Sequence, residues 1–354
     1  MATPIFEFAQ LPKAAPQPLK ASVRKRQRVH GEPPRVGVIY NPRSHRNQGA
    51  DFDCGVCPQV HIATPGNRDA LPEALAGFAE DGIDLLVING GDGTVRDVLT
   101  CGQGIFGDDW PAIAVLPKGK TNALTVDLGV PIDWSLQDAI EAFDKGKRLM
   151  RRPINVCDLA KGSSSSVLGF ILGAGAFTRA TKAGQSAHKL GAFNSAVVAV
   201  TTIWSLLQAM FASRNNPWRR GARMTIGLGK QRSAMAHSGS GEPDYRQLLF
   251  ASTLERLPAG LKPFGRLRSG LRMVALDQIS RRTAVIVPFV AMGRTPSGLR
   301  DKGIHQLSLS EFTLAIDEPF IFDGEAFPAG RYRIGQGPNL EFVVPADPAE
   351  TSAK

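Results

Sequence analysis

Cysteine is scarce in this chain: Cys54, Cys57, Cys101 and Cys157 are the only four among 354 residues. Four are too few to staple a chain of this length, which excludes a disulfide scaffold and fits a reducing compartment. Cys54-Gly-Val-Cys57 has the spacing of half a zinc site, but neither a second pair nor an adjacent histidine completes it, so it is assigned no metal or redox role. Long apolar runs are missing too. Pro4, Glu7, Gln10 and Pro12 interrupt the N-terminus, which excludes the continuous apolar segment of a signal peptide and points to the cytoplasm. The stretch from Gly191 to Ser213 is uncharged, but Asn194, Ser195, Thr201, Thr202, Ser205 and Gln208 dilute it and argue against a transmembrane helix. Acidic residues are absent from the whole interval between Asp158 and Glu242.

What is present is an ordinary globular composition, 43% hydrophobic, on a chain long enough for two cores. The formal charge of +10 favours anionic partners. Residues 1–34 hold several prolines and the bases Lys20, Arg24, Lys25, Arg26 and Arg28 without a periodic apolar face, and are expected to form a flexible basic arm.

Order is expected from Arg35 onward. Arg35-Val-Gly-Val-Ile-Tyr-Asn41 reads as a short buried strand that stops at Asn41-Pro-Arg-Ser44, where Pro42 forces a turn. Val60 to Thr64 reads as a second strand, followed by a helix with Leu71, Leu75, Ala76 and Phe78 inward. Leu85 to Ile88 is a β-branched apolar run of the length of a strand buried on both faces. It runs into Gly90-Gly-Asp-Gly-Thr94, with Thr94 as the expected N-cap of a helix bearing Val95, Val98 and Leu99. Ala112 to Leu116 is a fourth strand, ending in Pro117-Lys-Gly-Lys-Thr-Asn122, and a helix is expected over Asp133 to Lys145. Strands alternating with helices predict a Rossmann-like parallel sheet over residues 35–150. In such a sheet the carboxyl ends of the strands line one crevice, which would gather the three turns.

A glycine turn between a buried strand and a helix N-terminus presents free N–H groups and the positive end of a helix dipole, the chemistry of a phosphate site. Asp92 sits oddly beside phosphates. A divalent cation, a backbone hydrogen bond that fixes the turn, or a hydroxyl could each mediate.

After Pro153 short apolar runs recur between Gly, Pro and Ser clusters: Val167 to Leu172, Met224 to Leu228, Leu248 to Ser252, Thr283 to Val290, Leu307 to Leu309 and Thr313 to Ile316. Phe320 to Phe322, Tyr332 to Ile334 and Leu340 to Val344 continue the series. That cadence predicts an all-β sandwich over residues 151–345, with a helical insertion between Leu190 and Arg214 and a flexible tail over 346–354. Within it Phe320-Ile-Phe-Asp-Gly-Glu325 reads in two ways. Strand alternation would put Asp323 and Glu325 on one face; Asp-Gly is equally a hairpin turn.

Asn41-Pro-x-Ser, Gly-Gly-Asp-Gly-Thr, a Pro-x-Gly-x-x-Asn loop and a late Asp-Gly-Glu, in this order, resemble the diacylglycerol kinase superfamily, which includes ceramide and sphingosine kinases. The resemblance runs from Arg35 to Pro345 and implies ATP and Mg²⁺. By it Asn41, Thr64, Gly90, Gly91, Asp92, Gly93, Thr94, Gly119 and Asn122 would contact the nucleotide, while Lys120 could bind a phosphate as a point charge or point to solvent. Asp92 and Asp97 would be the metal candidates, Asp323 the base toward a lipid hydroxyl, and Glu325 its orienting partner or a second cation ligand. One departure stands out: Lys120 occupies a place where the family has a small residue. The implied reaction carries the γ-phosphoryl group of ATP to a lipid, with diacylglycerol the default acceptor and ceramide or a sphingoid base the alternatives. NAD kinases share the central turn but not the first turn or the late Asp-Gly-Glu. A non-catalytic lipid or nucleotide sensor on the same fold is the reading of another class.

The expected partners are a lipid substrate at a membrane surface and anionic lipid, not nucleic acid, with an oligomer left open. Arg179, Lys182, Lys189, Arg214, Arg219, Arg220, Arg223, Lys230 and Arg232 fall in the acid-free interval together with Trp204, Phe211 and Trp218. A basic rim around an apolar, Trp-bearing face suits peripheral membrane binding.

Overall fold

A computed structural model describes Arg28 and residues 32–47, 59–160, 166–181, 220–278 and 280–346. The first unit is a sheet built on β1 (Val36–Tyr40), β2 (Val60–Ala63), β3 (Leu85–Gly90), β4 (Ala112–Pro117) and β5 (Lys147–Arg151). β2, β1, β3 and β4 are adjacent and parallel. β3 lies at their centre with every residue buried, as its unbroken apolar run requires. Helices α1 (Leu71–Glu80), α2 (Asp92–Phe106), α3 (Ala123–Leu128) and α4 (Leu136–Lys145) complete the unit. Ser135 and Asp138 close α4 with a reciprocal capping box, which sets its start at Leu136 instead of Asp133.

The second unit consists of two antiparallel sheets packed face to face. One has the order 233–234, Ala222–Leu228, Glu311–Ile316, Gly330–Gln336, Ile154–Asp158, Ser166–Gly169. The other runs Ile304–Leu309, Leu271–Leu276, Leu248–Ser252, Ile171–Gly175, Phe320–Phe322, Glu325–Phe327. Val156, Leu172, Leu249, Met273, Phe312, Phe320 and Tyr332 fill the space between them. Helix α2 joins the units: the buried Thr100 hydroxyl accepts from the Leu168 N–H at 3.0 Å, and Leu168 and Phe170 belong to the first core.

Three sequence expectations need correction. Leu340–Val344 does not stay with the sandwich; it returns to the first sheet, parallel to β4 and antiparallel to β5. Its largely apolar run, broken only by Glu341, suits either core, and only topology decides. Thr283 to Val290 is not a strand but part of two short helices, Arg281–Ala284 and Val287–Ala291. Ser280 caps the first, and Pro288 opens the second, where its missing N–H costs nothing. Finally, α2 starts at Asp92 with Gly91 as its N-cap, so Thr94 stands in the first turn and is not the cap.

The insertion at 190–214, Cys54, Cys57, the tail beyond Ala346 and most of the basic arm lie outside the described residues. Arg28 of that arm is docked rather than solvated: it donates to Asp144 at 2.6 and 2.8 Å and sits 5.1 Å over the Phe143 ring. Cys101 and Cys157 are buried free thiols, and burial pushes Cys101 up to about 12, which makes it inert. Among the described residues, no helix is long and apolar enough to cross a membrane.

Candidate active site

The three turns expected at the carboxyl ends of β1, β3 and β4 are stitched to one another. Asn41 Nδ2 donates to Thr94 Oγ1 at 2.8 Å, tying the first turn to the second. Beneath them Asn47 Nδ2 donates to the Asn41 carbonyl and to Asn89 Oδ1, each at 2.8 Å. The third loop joins through its backbone: the Arg46 N–H donates to the Lys118 carbonyl at 3.0 Å and the Lys118 N–H to the Gly90 carbonyl at 3.2 Å.

Gly91 and Gly119 face each other with no room for a side chain. A Cβ on Gly91 would lie 2.9 Å from the Gly119 Cα, and one on Gly119 would lie 2.7 Å from the Gly91 Cα. Asn122 braces the loop, its side-chain oxygen accepting from the Gly119 N–H at 2.7 Å and its Nδ2 donating to the Gly119 carbonyl at 3.0 Å. It holds a left-handed backbone, φ 52°, and caps α3. Asp92 lies against this cap. Burial raises its pKa, while the N–H groups of Leu124, Ala123 and Asn122 oppose the rise.

The late Asp-Gly-Glu resolves as a hairpin turn. Asp323 and Gly324 have φ 44° and 81° and connect Phe320–Phe322 to Glu325–Phe327, with Phe322 paired to Glu325. Strand alternation therefore does not govern the Asp323 side chain, since positive φ at both central residues defines a two-residue turn. The turn aims Asp323 back at the bend before Ile171–Gly175. Its carboxylate accepts from the Phe170 N–H at 3.1 and 3.0 Å and from the Ile171 N–H at 2.8 Å. Gly169 makes this possible, because a Cβ there would meet Asp323 Oδ2 at 2.3 Å. Burial, reinforced by the Asp92 carboxylate, pushes Asp323 up to about 7 against the pull of the Ile171 and Phe170 amides and the Arg96 charge. Asp92 and Asp323, far apart in sequence, thus influence each other's charge.

Glu325 points elsewhere than Asp323. Its Oε1 receives Arg68 Nη2 at 2.5 Å and Arg96 Nη2 at 2.9 Å. The same two guanidiniums hold Asp97, from Arg68 Nε at 2.6 Å and from Arg96 Nη2 at 2.8 Å. Arg96 is fully buried; burial opposes its charge, but Asp97 and Glu325 more than restore it and raise its pKa. Asp97, expected as a metal ligand, is instead the counter-ion of two arginines. Thr64 follows β2 at the same rim and is exposed, as is Lys120 on the third loop.

Sequence reading missed Arg68, Arg96, Asn47 and the amides of Phe170 and Ile171. A charged pair, Arg96-Asp97, just after the glycine turn was the available signal for Arg96; Arg68 lies 29 residues from Asp97 and had none. The amides have none, since backbone groups leave no mark in a sequence.

Among the described residues no cluster of three His, Cys, Asp or Glu side chains could cage a metal by itself. The donor set fits Mg²⁺ in the way nucleotide enzymes use it, with one or two carboxylates and the remaining oxygens from phosphate and water. Asp92, beside the glycine turn, is the carboxylate that would serve as its protein ligand.

Residues 35–157 match the family profile of the diacylglycerol kinase catalytic domain. Lipid kinase YegS of Escherichia coli K12 is 28% identical over 90 residues, a stretch spanning 25% of this chain and 27% of that protein. The crystal structure of a diacylglycerol kinase from Bacillus anthracis str. Sterne superimposes with a TM-score of 0.54 at 14% identity, over 90% of this chain and 98% of that one. A second solved structure from the same organism gives 0.59 at 15% identity, over 90% and 99%. Both likenesses are of fold.

Proposed function

We propose that this protein, whose residues 35–157 match the diacylglycerol kinase catalytic domain, is a kinase that transfers the γ-phosphoryl group of ATP to a lipid hydroxyl. Diacylglycerol is the acceptor we favour, giving phosphatidic acid. The observation that carries the reading is the tie between helix α2, which opens at Asp92, and the hairpin that bears Asp323: Arg96 and Arg68 reach Glu325 at 2.9 and 2.5 Å. It supports a base from the sandwich meeting a nucleotide held on the parallel sheet.

Phosphoryl transfer asks the protein mainly to position reactants and neutralise charge. The amides of Gly91 to Thr94, at the positive end of α2, would receive phosphate oxygens. Asn41 and Thr94 would frame the nucleotide, and Lys120 is free to swing toward the phosphates as a point charge. When bound, Mg²⁺ would neutralise charge on the β- and γ-phosphates, with Asp92 as its protein anchor. Asp323, poised near neutrality, would accept the proton of the acceptor hydroxyl as its oxygen bonds to the γ-phosphorus and the bond to ADP breaks. Because the acceptor resides in a bilayer, the protein would work at the membrane surface as a peripheral enzyme of the cytoplasm.

The test is to incubate the purified protein with labelled ATP, Mg²⁺ and mixed micelles containing diacylglycerol, ceramide or sphingosine, with NAD in a separate arm. Label in phosphatidic acid is the expected result. Label only in another lipid would move the substrate assignment, and label in none would reject the kinase reading.

A further inference from the structure

The four charges Arg68, Arg96, Asp97 and Glu325 form a closed ring. Each carboxylate receives both guanidiniums, at 2.5 and 2.9 Å on Glu325 and at 2.6 and 2.8 Å on Asp97. The ring draws in three separate segments: the 3₁₀ turn Arg68–Ala70 after β2, helix α2, and the hairpin strand Glu325–Phe327. Its side chains are withdrawn from solvent, 0% exposed for Arg96, 10% for Asp97, 19% for Glu325 and 21% for Arg68.

A buried ion-pair ring adds little stability over apolar side chains of similar volume, because desolvation cancels most of the attraction. What such a ring supplies is fixed direction, particularly where arginine presents a planar fork to two acceptors. Here direction matters. Arg96 lies one helical turn beyond Asp92 on the rigid helix that begins at the glycine turn. Glu325 is joined to Asp323 by a tight two-residue turn with no slack. The ring therefore fixes the helix that carries Asp92 to the hairpin that carries Asp323. The segment bearing Arg68 leaves β2 at Thr64, so the remaining rim of the nucleotide crevice is bound into the same ring.

We propose that Arg68 and Arg96 are positioning residues, which hold Glu325 and through it the Asp323–Gly324 turn in register with the glycine turn. The role assigned to Glu325 is to anchor the turn, not to bind a cation. This deepens the kinase reading and rests on it. Transfer in line with the leaving oxygen tolerates little error, and a misplacement of about 1 Å costs on the order of a hundredfold in rate.

Arg68 is the residue to change, because it is the more exposed of the two arginines, 21% against 0% for Arg96. In the full-length protein, Arg68→Ala is expected to lower kcat by about thirty- to a hundredfold while leaving ATP affinity within about threefold, measured by calorimetry with a non-hydrolysable analogue. Arg68→Lys should recover part of the loss, since an ammonium can reach one carboxylate but not fork across both. Arg96→Gln removes a charge that favours ionised Asp323, so the acid limb of its pH–rate profile should move to higher pH. Hydrogen exchange in residues 320–327 should quicken by about tenfold or more in Arg68→Ala as the hairpin loosens. A wild-type kcat in Arg68→Ala, or a loss in kcat that tracks lost ATP affinity or lost folded protein, overturns the proposal. If the wild-type protein phosphorylates no lipid, the kinase reading fails by itself. Hydrogen exchange then still judges the anchor: unchanged exchange in residues 320–327 rejects it, and quickened exchange sustains it.

Discussion

Gly91 and Gly119 pass each other backbone to backbone, with Cβ positions that would lie 2.9 and 2.7 Å from the opposing Cα. Neither residue has a positive φ, so the requirement for glycine is one of space and not of backbone strain. Gly91→Ala or Gly119→Ala must part the second and third turns, and overpacking of this kind costs about 1–3 kcal/mol. Most of that cost should fall on the crevice, because the turns sit at its mouth. ATP affinity should fall by about ten- to a hundredfold, with a smaller change in thermal midpoint, as calorimetry and a melting curve would record. An alanine variant with unchanged ATP affinity would mean that the contact does not shape the nucleotide site.

Asp92 separates two of the roles left open by the sequence. If it anchors Mg²⁺, Asp92→Asn should lower activity by about a hundredfold or more, in the range seen for groups that act on transition-state charge, and excess Mg²⁺ should restore part of it. If it only fixes the turn through the amides at the start of α3, the thermal midpoint should fall with the activity and Mg²⁺ should rescue nothing. The residual activity of Asp92→Asn carries a second readout. Because Asp92 raises the Asp323 pKa, its neutralisation should shift the acid limb of the pH–rate profile to lower pH.

Asp323 should show a conflict between stability and function. Its pKa in the folded protein is pushed from 3.8 to about 7, so between those values the folded state holds a proton that the unfolded state has lost. Stability must then fall as pH rises through this window. The cost is absent below pH 3.8 and complete above about pH 7. Asp323→Asn removes it, so the variant's thermal midpoint relative to wild type should rise between pH 4 and pH 8. Its kcat should nevertheless fall by about 10²–10⁴-fold, the usual worth of a general base, with ATP affinity unchanged. In the wild type the rate should decline below pH 7 as Asp323 protonates. A parallel fall of rate and ATP affinity in Asp323→Asn would place the residue in the nucleotide site instead.

The parts of this architecture that sequence could reveal are those governed by local chemistry. Leu85 to Ile88 is apolar on both faces and buried on both, and the three turns fall at strand ends because glycine, proline and asparagine punctuate them. What sequence could not reveal depends on contacts distant along the chain. Leu340–Val344 returns to the first sheet through pairing with β4 and β5, which nothing in its own residues specifies. Asp97 looked like a metal ligand because its partner Arg68 lies 29 residues away. Glu325 looked catalytic beside Asp323, and only the positive φ of Asp323 and Gly324 shows that the turn sends the two carboxylates to different partners.

The membrane face is where the structure most alters the prediction to be made. The acid-free interval between Asp158 and Glu242 suggested an uncompensated basic rim, but acids outside the interval reach into it. Arg179 pairs with Glu318 at 2.7 Å and Arg223 with Asp244 at 3.3 Å, while Arg220 stacks on Tyr245 at 4.4 Å. Lys230 and Arg232, in the turn after Ala222–Leu228, are exposed. The segment with Trp204, Phe211 and Trp218 lies outside the described residues. Each base near an anionic bilayer contributes on the order of 1 kcal/mol and is screened over about 10 Å at 0.1 M salt. With some arginines already neutralised, binding to anionic vesicles should be weaker than the count of bases suggests, yet still fall as salt rises. Sedimentation with anionic and zwitterionic vesicles at low and high salt would measure it. Lys230→Ala with Arg232→Ala should weaken anionic binding more than Arg223→Ala, because Arg223 is already compensated by Asp244. Equal binding to both vesicle types would place the membrane contact on apolar side chains alone and remove the basic rim from the account.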